Sequence, residues 1–227
     1  MQKRLISLLL LLGLNIGAVF GQEIITAEKY LDMVSETYGA IRDYEAHIVI
    51  RTGSTEMIGN VSHLTPSFLR IDFTKPAEQA IVFNGELLTV YLPEIRAVLS
   101  QNVNQSRRNS GAGMATAQGL IMLKRNYVPS FVTGPTPEPL ESNSRERVVK
   151  LRLTRRSISE GFREIILSIN PDTKLIRRIE GRTIAEGDLR FDFTNIKINQ
   201  GIPELRFLYD SPASAYMYNN FLFRDSD

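Results

Sequence analysis

The sequence predicts an α+β fold: one strongly curved antiparallel sheet forming an open, half β-barrel, with helices covering its concave face. Three observations carry that expectation. About ten short stretches alternate apolar and polar residues with period two, as half-buried strands do. Tight-turn residues separate many of them, as at Gly53-Ser54, Asn84-Gly85 and Asn170-Pro171-Asp172. Only two stretches carry a helical period.

The first 21 residues stand apart from the fold. Lys3 and Arg4 precede a leucine-rich run from Leu5 to Leu14, and Val19 and Gly21 supply small residues before Gln22. This is the pattern of a secretory signal, so residues 1–21 are expected to be cleaved and residues 22–227 to form a single domain. An uncleaved N-terminal anchor is the alternative, though the run is short for a bilayer. The chain contains no cysteine, so an exported protein of this sequence has no disulfide and no lipidated cysteine, and must rely on its core. Removing residues 1–21 takes away Lys3 and Arg4 and leaves 25 basic against 25 acidic side chains, a balance that does not suit a nucleic-acid partner.

Taken in order, the mature chain opens on a helix. Thr26 is placed to cap it and Glu28 to complement its dipole. Leu31, Val34, Tyr38 and Ile41 make one apolar stripe, and the helix is expected to end near Arg42-Asp43. A helix with one apolar stripe packs on a sheet. Strands follow over Tyr44–Arg51 and Met57–Leu64. The stretch from Phe68 to Gln101, FLRIDFTKPAEQAIVFNGELLTVYLPEIRAVLSQ, is the clearest meander in the chain. Leu69, Ile71 and Phe73 share one face, and Lys75-Pro76 ends that strand. Gln79–Phe83 and Glu86–Leu92 flank Asn84-Gly85, the favoured pair for a type I′ turn. Leu92-Pro93-Glu94 turns the chain into Ile95–Gln101.

Polar and small residues from Asn102 to Gly113 predict a loop. Met114–Arg125 reads as a second helix, apolar around most of its circumference. Tyr127–Ser144 holds four of the ten prolines and is expected to be a long connection. Strands resume at Arg147–Arg155, Phe162–Ile169, Lys174–Glu180, Leu189–Ile198 and Leu205–Leu208. Tyr216, Met217, Tyr218, Phe221, Leu222 and Phe223 predict a tail that docks.

No pattern for catalysis emerges, and no cofactor or metal is expected. His47 and His63 sit inside strand patterns without a second ligand at metal spacing. The chain has no glycine-rich phosphate loop and no nucleophile elbow. Asp72 and Glu78 read as solvated carboxylates, and Arg107-Arg108 and Arg155-Arg156 as exposed basic pairs. What stands out is the apolar meander beside a short greasy helix. A filled core explains both, and so does a cavity for an apolar ligand with the helix as lid.

The meander resembles the periplasmic outer-membrane lipoprotein carriers, commonly called LolA. The resemblance rests on Leu69, Ile71, Pro76, Ile81, Val82, Asn84, Gly85, Leu88, Tyr91, Pro93 and Val98, and extends loosely from Thr26 to Ser211. It implies a non-enzymatic periplasmic chaperone that shields lipoprotein acyl chains between the inner and outer membranes. The implied partners are acylated lipoproteins, an inner-membrane lipoprotein-releasing ABC transporter and an outer-membrane lipoprotein receptor, met by a monomer. Missing cysteine favours carrier over receptor.

On this resemblance Leu69, Ile71, Phe73, Leu88 and Val90 are the expected cavity lining, and Met114, Leu120, Ile121 and Leu123 the lid. Thr65 stands at the rim, where members of the best-known type carry an arginine latch. Ile71 and Thr89 replace the tryptophans of the pattern. A periplasmic sensor or scaffold on the same fold is the alternative function, and a filled structural β protein is another.

Overall fold

A computed structural model describes residues 25–103, 114–183 and 187–221. The expected signal, residues 1–21, and the Arg107-Arg108 pair lie outside the described residues, as do Leu222 and Phe223. The first helix, α1, runs Ala27–Gly39. Thr26 caps it as expected, its hydroxyl accepting from the Lys29 amide at 3.2 Å. Leu31, Val34 and Tyr38 are buried along the stripe. The helix stops earlier than Arg42: Ala40 is its C-cap, and the Ile41 amide tightens to the Tyr38 carbonyl three residues back at 3.2 Å.

Strands β1 (Asp43–Thr52), β2 (Thr55–Leu64), β3 (Phe68–Lys75), β4 (Ala80–Phe83), β5 (Leu87–Leu92) and β6 (Ala97–Asn102) follow. Helix α2 spans Ala117–Asn126, three residues later than Met114, since Thr116 caps it by accepting from the Gly119 amide. Then come β7 (Tyr127–Phe131), β8 (Glu138–Pro139), β9 (Arg147–Arg155), β10 (Phe162–Ile169), β11 (Ile176–Thr183), β12 (Asp188–Ile198) and β13 (Tyr216–Asn219).

The half-barrel expectation is overturned. The described strands form one 13-stranded sheet in the order β13-β6-β5-β4-β3-β2-β1-β12-β11-β10-β9-β7, with β8 pairing β9 off that path. Its edges, β13 and β7, do not pair with each other, and the sheet is neither closed nor curled into a barrel. Nor is it wholly antiparallel, because β13 runs parallel to β6. Period-two alternation reports which face is apolar, whereas closure depends on twist accumulated across many strands.

Three local expectations also change. Tyr127–Phe131 is a strand and not part of a loop. Tyr127 and Phe131 point into the core from it, and Pro129, which has no amide hydrogen, is tolerated because β7 is an edge. Leu205–Leu208 is not a strand: Glu204–Phe207 forms a 3-10 turn. Asn84-Gly85 does join a hairpin, but only Gly85 has positive φ, so the turn is not type I′. Asn84 holds it instead, its side-chain oxygen accepting from the Glu86 and Leu87 amides.

One glycine is dictated by close approach. A Cβ on Gly59 would stand 2.3 Å from the Asp72 carbonyl oxygen, where β2 shifts register against β3. The core joins α1 and α2 to one face of β1–β3 and β9–β12. Tyr30 of α1 meets Phe131 of β7 edge-on, and the Tyr38 hydroxyl accepts from the Ile176 amide at 3.1 Å.

Candidate functional site

Cross-strand register decides which side chains share a face. One row runs Tyr44 on β1, His63 on β2, Leu69 on β3, Phe83 on β4 and Leu88 on β5. The next runs Ala46, Val61, Ile71, Ile81, Val90 and Leu99. Phe73 pairs Gly59 one row further on. The five expected lining residues, Leu69, Ile71, Phe73, Leu88 and Val90, therefore lie on a single face.

Their burial differs along that face. Leu69, Ile71 and Phe73 belong to the packed core. Ile81, Phe83, Leu88, Val90 and Leu99 are only half-buried. Helical cover is deep over β1–β3 and thins over β4–β6. Of the expected lid residues, Met114, Leu120 and Leu123 are buried in the core, while Ile121 is 61% exposed.

A cleft of about 300 Å³ opens where α1, α2 and the ends of β1 and β2 meet. It is lined by Tyr38, Ile41, Tyr44 and His63, by Thr65 and Pro66 after β2, and by Thr116–Gln118 with Ile121 at the start of α2. Its volume is at the lower end of small-molecule sites. Thr65 thus lines the same cleft as the first turn of α2, and its hydroxyl donates to the Ile41 carbonyl oxygen at 3.0 Å. Burial pushes the Tyr38 and Tyr44 phenols up, so both stay protonated.

His63 is the group that sequence reasoning set aside as an ordinary strand histidine. It is 5% exposed, its ring stacks on Tyr44 with centroids 5.2 Å apart, and among the described residues no group hydrogen-bonds either ring nitrogen. A signal was present: Val61 and His63 share strand parity, so a polar ring falls on an otherwise apolar face. Burial lowers its pKa to about 4, against the opposing pull of the Asp43 carboxylate.

The unfolded chain therefore binds a proton at His63 more readily than the folded one. The stabilisation is complete above about pH 6.5 and drains away as pH falls toward 4. Urea melts at pH 7.5 and 4.5 should differ by about 2.5 kcal/mol from this ring alone. The part lost in His63→Gln isolates it from the carboxylates, and an unchanged difference would contradict the assignment.

The back of the meander is covered as well. Phe207 is buried against Phe68, ring centroids 5.4 Å apart, and Tyr209 lies over Tyr91. Arg70 donates to the Arg206 and Leu208 carbonyls, and Arg206 pairs with Asp72 at 2.8 Å. Asp43 anchors the lead-in by accepting from the Gln200 and Gly201 amides. Asp72 is thus part of a clasp. Glu78 sits in a turn with positive φ and no ion pair is formed by it among the described residues.

Among the described residues, no three histidine, aspartate or glutamate side chains group closely enough to hold a metal ion. Nor is any described helix long and apolar enough to cross a membrane.

No family model matches the chain. It is 23% identical over 184 residues to an outer-membrane lipoprotein carrier protein of Bordetella avium (strain 197N), covering 80% of this chain and 81% of the relative. In fold it resembles an uncharacterized conserved protein from Thermus thermophilus, with a TM-score of 0.56 at 15% identity, covering 85% of this chain and 98% of that one. It also resembles the Pseudomonas aeruginosa MucA/MucB complex structure, with a TM-score of 0.50 at 16% identity, over 81% of this chain and 61% of the matched one.

Proposed function

We propose that the protein is a periplasmic chaperone that holds the acyl chains of lipoproteins against this sheet face and carries them from the inner to the outer membrane. The observation that carries the reading is the half-covered apolar face over β4–β6, continuous through shared rows with the cleft beneath α2. The similarity to a lipoprotein carrier over four-fifths of both chains supports it, and supports a role without catalysis. In this reading Leu69, Ile71, Phe73, Leu88 and Val90 receive the chains. Met114, Leu120, Ile121 and Leu123 on and before α2 are the moving cover, with Thr65 at the rim in the latch position. Cargo comes from an inner-membrane lipoprotein-releasing ABC transporter and passes to an outer-membrane receptor.

The energetics suit a carrier. Each methylene removed from water contributes about 0.8 kcal/mol, so one long chain amounts to on the order of 10 kcal/mol. A smooth aliphatic lining returns much of this without a tight anchor, and release needs no energy source in the periplasm. Methionine at the start of the cover adds an adaptable surface.

The test uses Leu88 and Val90. A charge at Leu69 or Ile71 would be buried in packed core and unfold the protein. Half-buried Leu88 and Val90 leave room for glutamate at smaller cost. An environment-sensitive acyl probe should bind the wild type and be displaced by a triacylated peptide. Leu88→Glu combined with Val90→Glu should weaken probe binding at least tenfold with the fold retained by circular dichroism. Undiminished binding in the folded double variant would remove this face from the function.

A second reading, a sensor or scaffold with a protein partner, is favoured by the β13 edge. Tyr216, Met217 and Tyr218 are exposed there, beside exposed Ile95. A strand edge with outward aromatic side chains suits pairing with another chain.

A further inference from the structure

His63 is a buried polar ring at the end of an apolar row, in the wall of the cleft. Neutral imidazole has one N–H donor and one acceptor, and buried polar groups are nearly always paired. Neither ring nitrogen meets a protein partner among the described residues, although Tyr44, Ile41 and Tyr38 pack around the ring's side of the cleft. The chain keeps Leu69, Phe83 and Leu88 in register with His63 on the neighbouring strands. A ligand lying along that row would bring its chain over Leu88, Phe83 and Leu69 and its polar end to the imidazole.

We propose that His63 is the polar recognition point of the site, hydrogen-bonding the uncharged ester or amide group at the head of an acyl chain. This rests on the acyl-binding reading above and adds to it a residue and a head-group class. Three features select an uncharged head. The surrounding wall is tyrosine, isoleucine, alanine and proline, with Thr65, Thr116 and Gln118 as its other polar side chains, and among the described residues no charged side chain lines the cleft. An ionised head would be desolvated there without a counter-charge. The ring is neutral at physiological pH, so it offers a hydrogen bond and no ion pair.

Access requires movement. Both ring nitrogens are out of contact with solvent, so a head group reaches them by displacing the wall at Thr116–Ile121. That wall runs from the cap of α2 into its first turns, where Leu120 is buried and Ile121 is exposed. Opening it would uncover both His63 and the row beyond. Recognition at the ring and movement of α2 are then one event.

The test compares three competitors for the acyl probe that share a ten-carbon chain: monodecanoyl glycerol, decanoate and decyltrimethylammonium. Wild type should prefer monodecanoyl glycerol. His63→Leu, which keeps an apolar side chain of similar reach, should bind it about tenfold more weakly and leave decyltrimethylammonium unchanged. His63→Gln, with a donor and an acceptor, should recover part of the loss. In wild type the ¹⁵N resonances of the His63 ring should shift on adding monodecanoyl glycerol, which a purely structural histidine would not show. Equal affinities in wild type and His63→Leu, or unmoved ring resonances with probe still bound, would overturn the proposal and leave acyl binding standing. Failure of wild type to bind the probe at all would sink both.

Discussion

Asp192→Ala should lower the stability of the protein by about 3 kcal/mol while leaving acyl-probe affinity unchanged. Asp192 lies on the outer face of β12, opposite Val49 of β1 and Arg178 of β11. Four guanidinium groups converge on its carboxylate: Arg51 at 3.2 Å, Arg177 at 3.1 Å, Arg178 at 2.7 Å and Arg190 at 3.1 Å. The Arg178 side chain is only 7% exposed. Surface ion pairs usually contribute little, but removing one partner of a buried cluster leaves desolvated charge behind. Glu141 still meets Arg178 at 2.7 Å, which keeps the expected loss from being larger.

The measurement is urea unfolding of Asp192→Ala and of Asp192→Ala combined with Arg178→Leu. If the stranded arginine is the cause, the second change should restore part of the loss. A loss that simply adds would point to packing instead. The acyl probe is an independent control, because Asp192 and the proposed lining are on opposite faces of the sheet. A large change in probe affinity would mean that the two faces are coupled.

Phe207→Ala should cost about 3–5 kcal/mol, among the largest effects available from one side chain. Phe207 is 1% exposed and fills the back of the meander against Phe68. Truncating it would open a cavity under the Arg70–Asp72–Arg206 clasp, which holds the segment after β12 to β3. Leu205→Ala, in the same 3-10 turn but 73% exposed, is the matched control and should change stability by less than about 0.5 kcal/mol. Limited proteolysis adds a local readout: cleavage after residue 199 should accelerate in Phe207→Ala and not in Leu205→Ala. Equal sensitivity of the two variants would contradict the role assigned to the clasp. Because this segment backs β3–β5, loss of Phe207 should also loosen the face carrying Leu88 and Val90.

Much of this architecture could be read from residue order. Alternation placed Leu69, Ile71 and Phe73 on one side of β3, and Val149, Leu151 and Leu153 on one side of β9, as the buried residues are. Thr26 announced the start of α1, and Pro76 follows the end of β3 at Lys75. These succeed because strand parity, capping and proline chemistry act over a few residues. The same reach explains the misses. Pro129 argues against a strand unless that strand is known to be an edge, and edge position is a property of the whole sheet. Phe207 looks like a strand residue until the back of β3 is in place to receive it.

The site divides the same way. Sequence by itself determined that an apolar face carrying Leu69, Ile71 and Phe73 exists and that a second helix follows the meander, but not that this helix buries only Leu120 and Leu123. Tertiary structure decided how that face is covered: deeply over β1–β3, thinly over β4–β6, and beside a cleft walled by the first turn of α2. It also decided that the sheet stays open, since β13 and β7 end at opposite edges. The physical reason is range. Side-chain alternation is set by the pleat of one strand, whereas cover, closure and the isolation of His63 arise where residues from separate elements, distant in the sequence, meet.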